Sequence, residues 1–301
     1  MQELDRVGFI GAGLMGHGII KNLIRHGYPV TFLEHPGNQP TADLIKLGAN
    51  VQAAVERVSR EADVLFICVT DSTQVENVVF GAHNILEVLK PGQIVIDCST
   101  IDPETTMRVA AALEDKGAGF LDAPLTRTPL EAEAGRLNVM VGGDADTLER
   151  VRPLLACFAE NVYHAGPVGA GHTLKLLHNY VSLGNAVVLA EAAVCAKRSG
   201  MDIGVFLEVL AAGGGDSIAL QRLKPYLTDG DASAFRFSLA NSLKDMRYYT
   251  QMATRRGATA IVADAIAQVF ETAAARGSGS DPLPTIIDVL DQPRNPKINA
   301  R

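Results

Sequence analysis

The sequence predicts an α/β chain. It expects a doubly wound, mostly parallel sheet in the N-terminal half, an all-α part in the C-terminal half, and a long helix joining them. Three features predict this. A strand, a glycine turn and a helix open the chain, strand and helix patterns then alternate as far as Gly143, and after Gly171 the strand patterns stop. The boundary is placed near residue 165, giving parts 1–165 and 166–301.

Arg6 to Ile10 forms a short apolar strand, and Gly11, Ala12, Gly13, Leu14, Met15 and Gly16 follow at once, opening an apolar-periodic helix. Glycines so placed permit a tight turn, let a pyrophosphate approach the backbone, and let helix pack on strand. The free N–H groups of the helix N-terminus face the phosphates. This is the Rossmann arrangement for a dinucleotide. A second strand, Pro29 to Leu33, ends in Glu34, where a carboxylate can take both hydroxyls of the adenosine ribose. That favours NAD over NADP, because a 2′-phosphate would meet like charge there and His35 is the only nearby candidate cation.

A helix after Thr41, a strand at Val64 to Val69, a helix around Ser72 to Val79 and a strand at Ile94 to Ile96 continue the alternation. Strand ends in such sheets face the ligand crevice, so Val69-Thr70-Asp71 and Asp97-Cys98-Ser99-Thr100 are candidates for lining the cofactor. Ser99 and Thr100 suit a helix cap before Pro103 equally well. Phe120 to Pro124 reads as a further strand end running into Thr126, Arg127 and Thr128, two hydroxyls and a guanidinium suited to an anion. An exposed turn with a solvated arginine would look the same. Leu137 to Val141 reads as the next strand.

Gly171 to Arg198 reads as one helix without proline, its apolar residues spread around nearly the whole circumference, the pattern of a helix buried on most sides. Lys175, His178, Asn179, Ser182 and Asn185 are set into it three and four apart, which lines them up on one face. Such a stripe is expected to face substrate. Further helices are expected near Val205 to Leu210, Asp216 to Leu227, Ser238 to Arg255 and Ala260 to Ala275.

With 301 residues, 47% of them hydrophobic, the chain can bury two cores. Its net charge of -7 and scattered basic residues argue against nucleic acid and anionic membranes as partners. No apolar run of membrane-spanning length and no leader is read from the sequence, so a cytoplasmic location is expected. Cys68, Cys98, Cys157 and Cys195 lie far apart and are expected to be buried free thiols, with no metal site.

The segments Gly11 to Leu23, Asp122-Ala123-Pro124, Met140 to Gly143, Lys175 with Asn179, and Lys244-Asp245 resemble, in order, the motifs of the β-hydroxyacid dehydrogenases. That family includes 3-hydroxyisobutyrate dehydrogenase and tartronate semialdehyde reductase. The resemblance implies a homodimer or homotetramer and a catalytic lysine at Lys175, which handles the proton on the substrate oxygen while hydride passes to or from nicotinamide. It places Asn179 as the orienting residue, Phe237 and Asp245 at positions closing the site, and Lys244 near the cofactor. A lysine buried on an apolar helix should have its charged form disfavoured, which eases proton exchange.

The departures bear on substrate. Where most members carry Ser-Gly-Gly, this chain has Thr126-Arg127-Thr128, which resembles the 3-sulfolactaldehyde reductases, where an arginine in this loop helps to hold a sulfonate. Asn179-Tyr180 and Ser182 are similar to that branch, whereas His178 stands where it has asparagine. Lys175 with His178-Asn179 also resembles 6-phosphogluconate dehydrogenase, but Ser182 replaces that enzyme's glutamate acid. Decarboxylation is therefore not expected, and imine reductases, which share the fold, replace the lysine. The sequence thus points to an NAD(H)-dependent interconversion of a small anionic hydroxy acid and its aldehyde, 3-sulfolactaldehyde or an ordinary carboxylate semialdehyde. The contrasting expectation is an NAD-binding module without chemistry.

Overall fold

In a computed structural model the chain divides into two units, Met1–Lys175 and Leu176–Arg301, and residues 5–292 are described. The first unit is built on a nine-stranded sheet. Its parallel portion runs β3 (Asn50–Gln52), β2 (Val30–Leu33), β1 (Val7–Ile10), β4 (Val64–Ile67), β5 (Ile94–Asp97) and β6 (Gly119–Asp122). Every residue of β1, β4 and β5 is buried, because a parallel sheet carries helices on both faces. The side chains alternate between two cores. Phe9, Phe66 and Ile96 enter one, and Ile10, Leu65, Ile67 and Val95 enter the other. Phe66 stacks on Phe9 at 5.6 Å and meets Phe158 edge-on at 5.9 Å, which ties β1 and β4 to the end of the helix α7 (Ala145–Ala156).

The crossovers are α1 (Gly16–Arg25), α2 (Ala42–Lys46), α3 (Val55–Arg60), α4 (Ser72–Phe80) and α5 (Pro103–Glu114). Asp71 caps α4 and Asp102 caps α5, each accepting a backbone N–H of the first turn. Beyond β6 the sheet changes direction. β8 (Leu137–Gly143) pairs antiparallel with β6 and with β7 (Leu125–Thr126), and parallel with β9 (Ala159–Gly166). The short helix α6 (Pro129–Glu133) lies between β7 and β8 in sequence. β9 has no counterpart among the expected strands, because Glu160, Asn161, Tyr163 and His164 interrupt any apolar run and leave the strand half-exposed.

The helix α8 (Ala170–Arg198) leads into α9 (Ile203–Ala211), α10 (Ile218–Asp229), α11 (Leu239–Arg255), α12 (Ile261–Arg276) and α13 (Ile286–Asp291). Leu176, Leu183, Val187 and Ala190 of α8 join Leu220, Met246, Phe270 and Leu283 in the core of the second unit. Asp202, Ser217 and Ser238 cap α9, α10 and α11, and α10 stops at Gly230 in the left-handed conformation, φ 73°.

The expectation of a helix buried on most sides is corrected. Val181 and Val188 are 60% and 62% exposed, and Leu174 and Leu177 continue the same open face. Apolar composition alone does not state which flank a helix buries. Cys195, on that helix, is exposed rather than buried, whereas Cys98 and Cys157 are buried and Cys68 partly so. The expectation that no run reaches membrane-spanning length is also corrected. By length and composition α8 could cross a membrane, with a mean hydropathy of 1.3 over 18 residues, but 56% of that window is buried inside the protein, the signature of a core helix.

Candidate functional site

The parallel strands β2, β1, β4 and β5 are neighbours, and their C-terminal ends gather most of the residues expected to meet a cofactor. The glycine turn leaves β1 with Gly11 at φ 103°, where a β-carbon would run into Cys68 O, and a β-carbon on Gly16 would run into Gly11 O. These two glycines answer to the protein's own backbone. Gly13 differs, because a β-carbon there meets nothing within 4 Å. Its bare backbone faces open space, as a cradle for a pyrophosphate requires. The N-terminus of α1 has neither a side-chain cap nor an acid in its first turn, which leaves its positive field to an anion.

Glu34 follows β2 and is exposed, its N–H donating to Gln52 O at 2.8 Å. The imidazole of His35 is engaged locally, accepting from Gly37 N at 3.0 Å. At the ends of β4 and β5, Val69 N donates to Ser99 Oγ at 3.0 Å and Thr70 N to Gln74 Oε1 at 2.9 Å. Ser99 therefore braces the loop carrying Val69 rather than capping α5, which Asp102 does. Thr100 follows Ser99 on that loop.

Two buried carboxylates end adjacent strands. Asp97 of β5 and Asp122 of β6 are register partners, both wholly buried. Asp97 Oδ1 accepts from Ser99 N at 2.9 Å, while its Oδ2 has no hydrogen-bond partner among the described residues. Burial pushes the Asp97 carboxyl up to about 7, against the pull of the Ser99 hydrogen bonds. Burial raises Asp122 to about 6, and backbone N–H groups of His172, Gly169 and Gly171 restrain the rise. His172, also wholly buried, lies in the first turn of α8. Sequence reasoning did not single out Asp97, Asp122 or His172 as a group. The available signal was an acid closing an otherwise apolar strand, in Ile94-Val95-Ile96-Asp97 and again in Phe120-Leu121-Asp122.

The loop of Thr126, Arg127 and Thr128 has each of its side chains engaged within the first unit. Thr126 Oγ1 accepts from Asn138 Nδ2 at 3.1 Å, and Asn138 Oδ1 accepts from Asn161 Nδ2 at 2.9 Å. Thr128 and Glu131 form a capping box on α6. The Arg127 guanidinium donates to Arg136 O and pairs with Glu160. Arg127 also holds φ 82°, in the left-handed region that favours glycine. Sequence reasoning did not find these partners, because Asn138 and Glu160 lie across strand pairings.

On α8, Lys175 and Asn179 stand one turn apart, Lys175 half-buried and Asn179 buried. Within the second unit Asn179 Nδ2 donates to Asp245 Oδ2 at 2.6 Å. Asn179 Oδ1 lies 3.0 Å from His178 Nδ1, so the amide is held at both ends. Lys244 Nζ sits 2.9 Å from Asp245 Oδ1, an ion pair by distance although not in hydrogen-bond geometry, and 5.2 Å from the Tyr248 ring centre. Tyr180 stacks on Tyr249 at 4.2 Å, and half-buried Phe237 packs on the same core. Ser182 is half-buried, while His178 and Asn185 are exposed. The structure thus joins Asn179, Asp245 and Lys244.

A glycine turn of this form on a sheet ordered 3-2-1-4-5-6 defines a dinucleotide-binding oxidoreductase domain. Residues 6–166 match the NAD binding domain of 6-phosphogluconate dehydrogenase, and residues 169–290 match the domain described as NAD-binding of NADP-dependent 3-hydroxyisobutyrate dehydrogenase. The chain is 29% identical over 295 residues to 2-(hydroxymethyl)glutarate dehydrogenase of Eubacterium barkeri, covering 97% of each chain. It is 30% identical over 299 residues to 2-hydroxy-3-oxopropionate reductase of Escherichia coli, covering 97% of this chain and 99% of that one. The crystal structure of 3-hydroxyisobutyrate dehydrogenase from Salmonella typhimurium superposes with a TM-score of 0.85 at 28% identity, over 95% of this chain and 99% of that one. The chain belongs to the β-hydroxyacid dehydrogenase family, NAD(P)-dependent oxidoreductases that act on hydroxy acids.

The buried acids predict a pH dependence of stability. A carboxyl whose folded-state pKa is raised contributes stability that is full below its unfolded value, near 3.8, and is lost as pH rises through the folded value, about 7 for Asp97 and about 6 for Asp122. Carboxylates held low by partners, such as Asp63 beside Arg6, lose their contribution only in acid. Asp97→Asn removes one titrating group, so its urea midpoint should fall less between pH 5 and pH 8 than that of the wild type. Equal falls in the two proteins would show that Asp97 is not protonated in the fold.

Proposed function

We propose that the protein interconverts a short 3-hydroxy acid and its semialdehyde with NAD(H), using Lys175 as acid–base residue and Asn179 as the group that orients substrate beside it. The observation that carries this reading is the pair itself, Lys175 and Asn179 one turn apart on an unbroken helix, with the Asn179 amide fixed by Asp245. Gly11 to Gly16, Val69, Thr70 and Thr100 would hold the cofactor, with Lys244 near it. Glu34 would take the ribose hydroxyls and set the preference for NAD. When bound, the nicotinamide supplies the acceptor or donor of hydride.

In the oxidative direction the neutral amine of Lys175 takes the proton of the substrate hydroxyl as the carbonyl forms; in reduction the ammonium returns it to the oxygen. Phe237 and Asp245 would close the site on the helical side, with His178 and Ser182 along the same stripe of α8. The relatives act, by their names, on 2-(hydroxymethyl)glutarate and 2-hydroxy-3-oxopropionate. This favours a carboxylate as the anion that Thr126, Arg127 and Thr128 adjoin. Any anion held by Arg127, carboxylate or sulfonate, would first have to displace Glu160. The same pair keeps the sulfonate reading in play. With side chains 27% and 49% exposed it is worth about 0–1 kcal/mol, which a bound anion can overcome. The open apolar face of α8, with Val181 and Val188, would serve the homo-oligomer implied by the resemblance.

Three measurements test the reading. Lys175→Met should lose roughly 10²–10⁴-fold in kcat while still quenching or enhancing NADH fluorescence as the wild type does, the cost of removing an acid–base group. Near-native turnover would remove Lys175 from the chemistry, and cofactor binding without turnover on any aldehyde would favour a non-catalytic module. Glu34→Ala should raise the use of NADP relative to NAD; an unchanged ratio would leave Glu34 a surface acid. A panel of methylmalonate, tartronate and succinic semialdehydes against sulfolactaldehyde, with wild type and Arg127→Gly, decides the anion. The carboxylates should be preferred and Arg127→Gly should change them little, whereas a sulfonate preference that collapses in the variant would reverse the assignment.

A further inference from the structure

The start of α8 is held by groups from three other elements. Asp122, at the end of β6, receives two of the N–H groups that a helix leaves without internal partners: Oδ1 accepts from Gly169 N and Oδ2 from His172 N, each at 2.7 Å. A carboxylate from a distant strand thus caps α8, where the helix field favours negative charge. The wholly buried His172 ring adds two more ties. Its Nε2 lies 3.1 Å from Ser99 O, which can only accept, so Nε2 carries a proton, and its Nδ1 lies 2.8 Å from the Thr106 hydroxyl. These bonds reach the loop after β5 and the helix α5.

The same turn rests on bare backbone. A β-carbon on Gly142 would run into Asp122 Oδ1 and lie 2.7 Å from Gly171 N and 2.9 Å from Ala170 N. One on Gly171 would lie 2.5 Å from both Asp122 O and Met140 O. No methyl group fits between the first turn of α8 and the strands β6 and β8, so the helix has no slack there. Asp97, the register partner of Asp122, and His172, with Nδ1 3.7 Å from Asp122 Oδ2, are the ionisable groups against Asp122, and Cys68 lies beyond Asp97. Burial raises both acids, and the backbone N–H groups at the start of α8 restrain the rise at Asp122.

We propose that Asp122 and His172 are positioning residues that seat the first turn of α8 and thereby fix the place and proton affinity of the Lys175 amine, three residues beyond His172. The proposal rests on the acid–base role given to Lys175. Displacing a reacting group by about 1 Å can cost on the order of 10²-fold in rate, so a loosened seat should be visible in turnover without a change in cofactor affinity.

The experiment compares Asp122→Asn, His172→Ala, His172→Gln and Gly171→Ala with the wild type by kcat, KM, NADH affinity from fluorescence, and the pH dependence of Lys175 labelling by an amine-reactive probe read by mass spectrometry. Asp122→Asn keeps the shape but turns an amide N–H₂ toward one of the helix N–H groups. We expect it and His172→Ala to lower kcat about 10–100-fold with NADH affinity within about twofold, and to shift the labelling profile of Lys175. His172→Gln, which can still donate to Ser99 O, should recover most of the loss. If Asp122→Asn does not fold, His172→Ala and Gly171→Ala carry the test. Labelling profiles matching the wild type in the variants that fold would overturn the proposal, as would activity falling only in step with cofactor affinity. Since labelling needs no turnover, an active Lys175→Met would sink the catalytic assignment and leave the seating of α8 separately measurable.

Discussion

A helix cannot begin inside a protein without acceptors for its first N–H groups, and for α8 those acceptors come from the sheet. The carboxylate of Asp122 takes two of them while buried. Much of the neighbourhood follows from that one contact. The carboxylate must approach the helix backbone closely, so residues 142 and 171 have no room for a side chain. Burial raises its carboxyl, and the N–H groups of the helix restrain that rise, while Asp97 beside it has the N–H of Ser99 to set against burial. Environment, rather than residue type, separates the two acids.

The glycine turn after β1 shows the same distinction between demands made by the fold and demands made by a ligand. Gly11 and Gly16 are required by the protein, since any side chain would strike its own backbone. At Gly13 a β-carbon would meet nothing within 4 Å among the described residues, so its backbone is open to the approach of a pyrophosphate. Together with the uncapped start of α1, this is the physical content of the NAD-binding assignment, beyond the spacing of the motif.

What could be read from the sequence divides along physical lines. The parallel strands were legible because burial on both faces writes a continuous apolar run, as in Val64-Leu65-Phe66-Ile67. The helices of the second unit were legible from their apolar periodicity. β9 was not, because a half-exposed strand with Glu160, Asn161 and His164 writes no run at all. For α8 the boundaries were legible but the burial was not: Val181 and Val188 are as apolar as Val187, and only tertiary structure says that they face outward. Of the candidate site, Asn179 with Asp245 emerged through family resemblance. The group of Asp97, Asp122 and His172 did not, since its members are separated in sequence and meet only when β5, β6 and the start of α8 come together.

Arg127 brings energetics to bear on substrate choice. A left-handed backbone costs a non-glycine residue roughly 1–3 kcal/mol. The half-exposed pair with Glu160 returns about 0–1 kcal/mol. The hydrogen bond to Arg136 O adds about 0.5–1.5 kcal/mol, so the two partners together roughly offset the strain and leave no surplus. Arginine at this position therefore gains the fold nothing that glycine would not supply at lower cost. Because the internal pair is weak, an anion that reached Arg127 would compete with Glu160 on nearly equal terms.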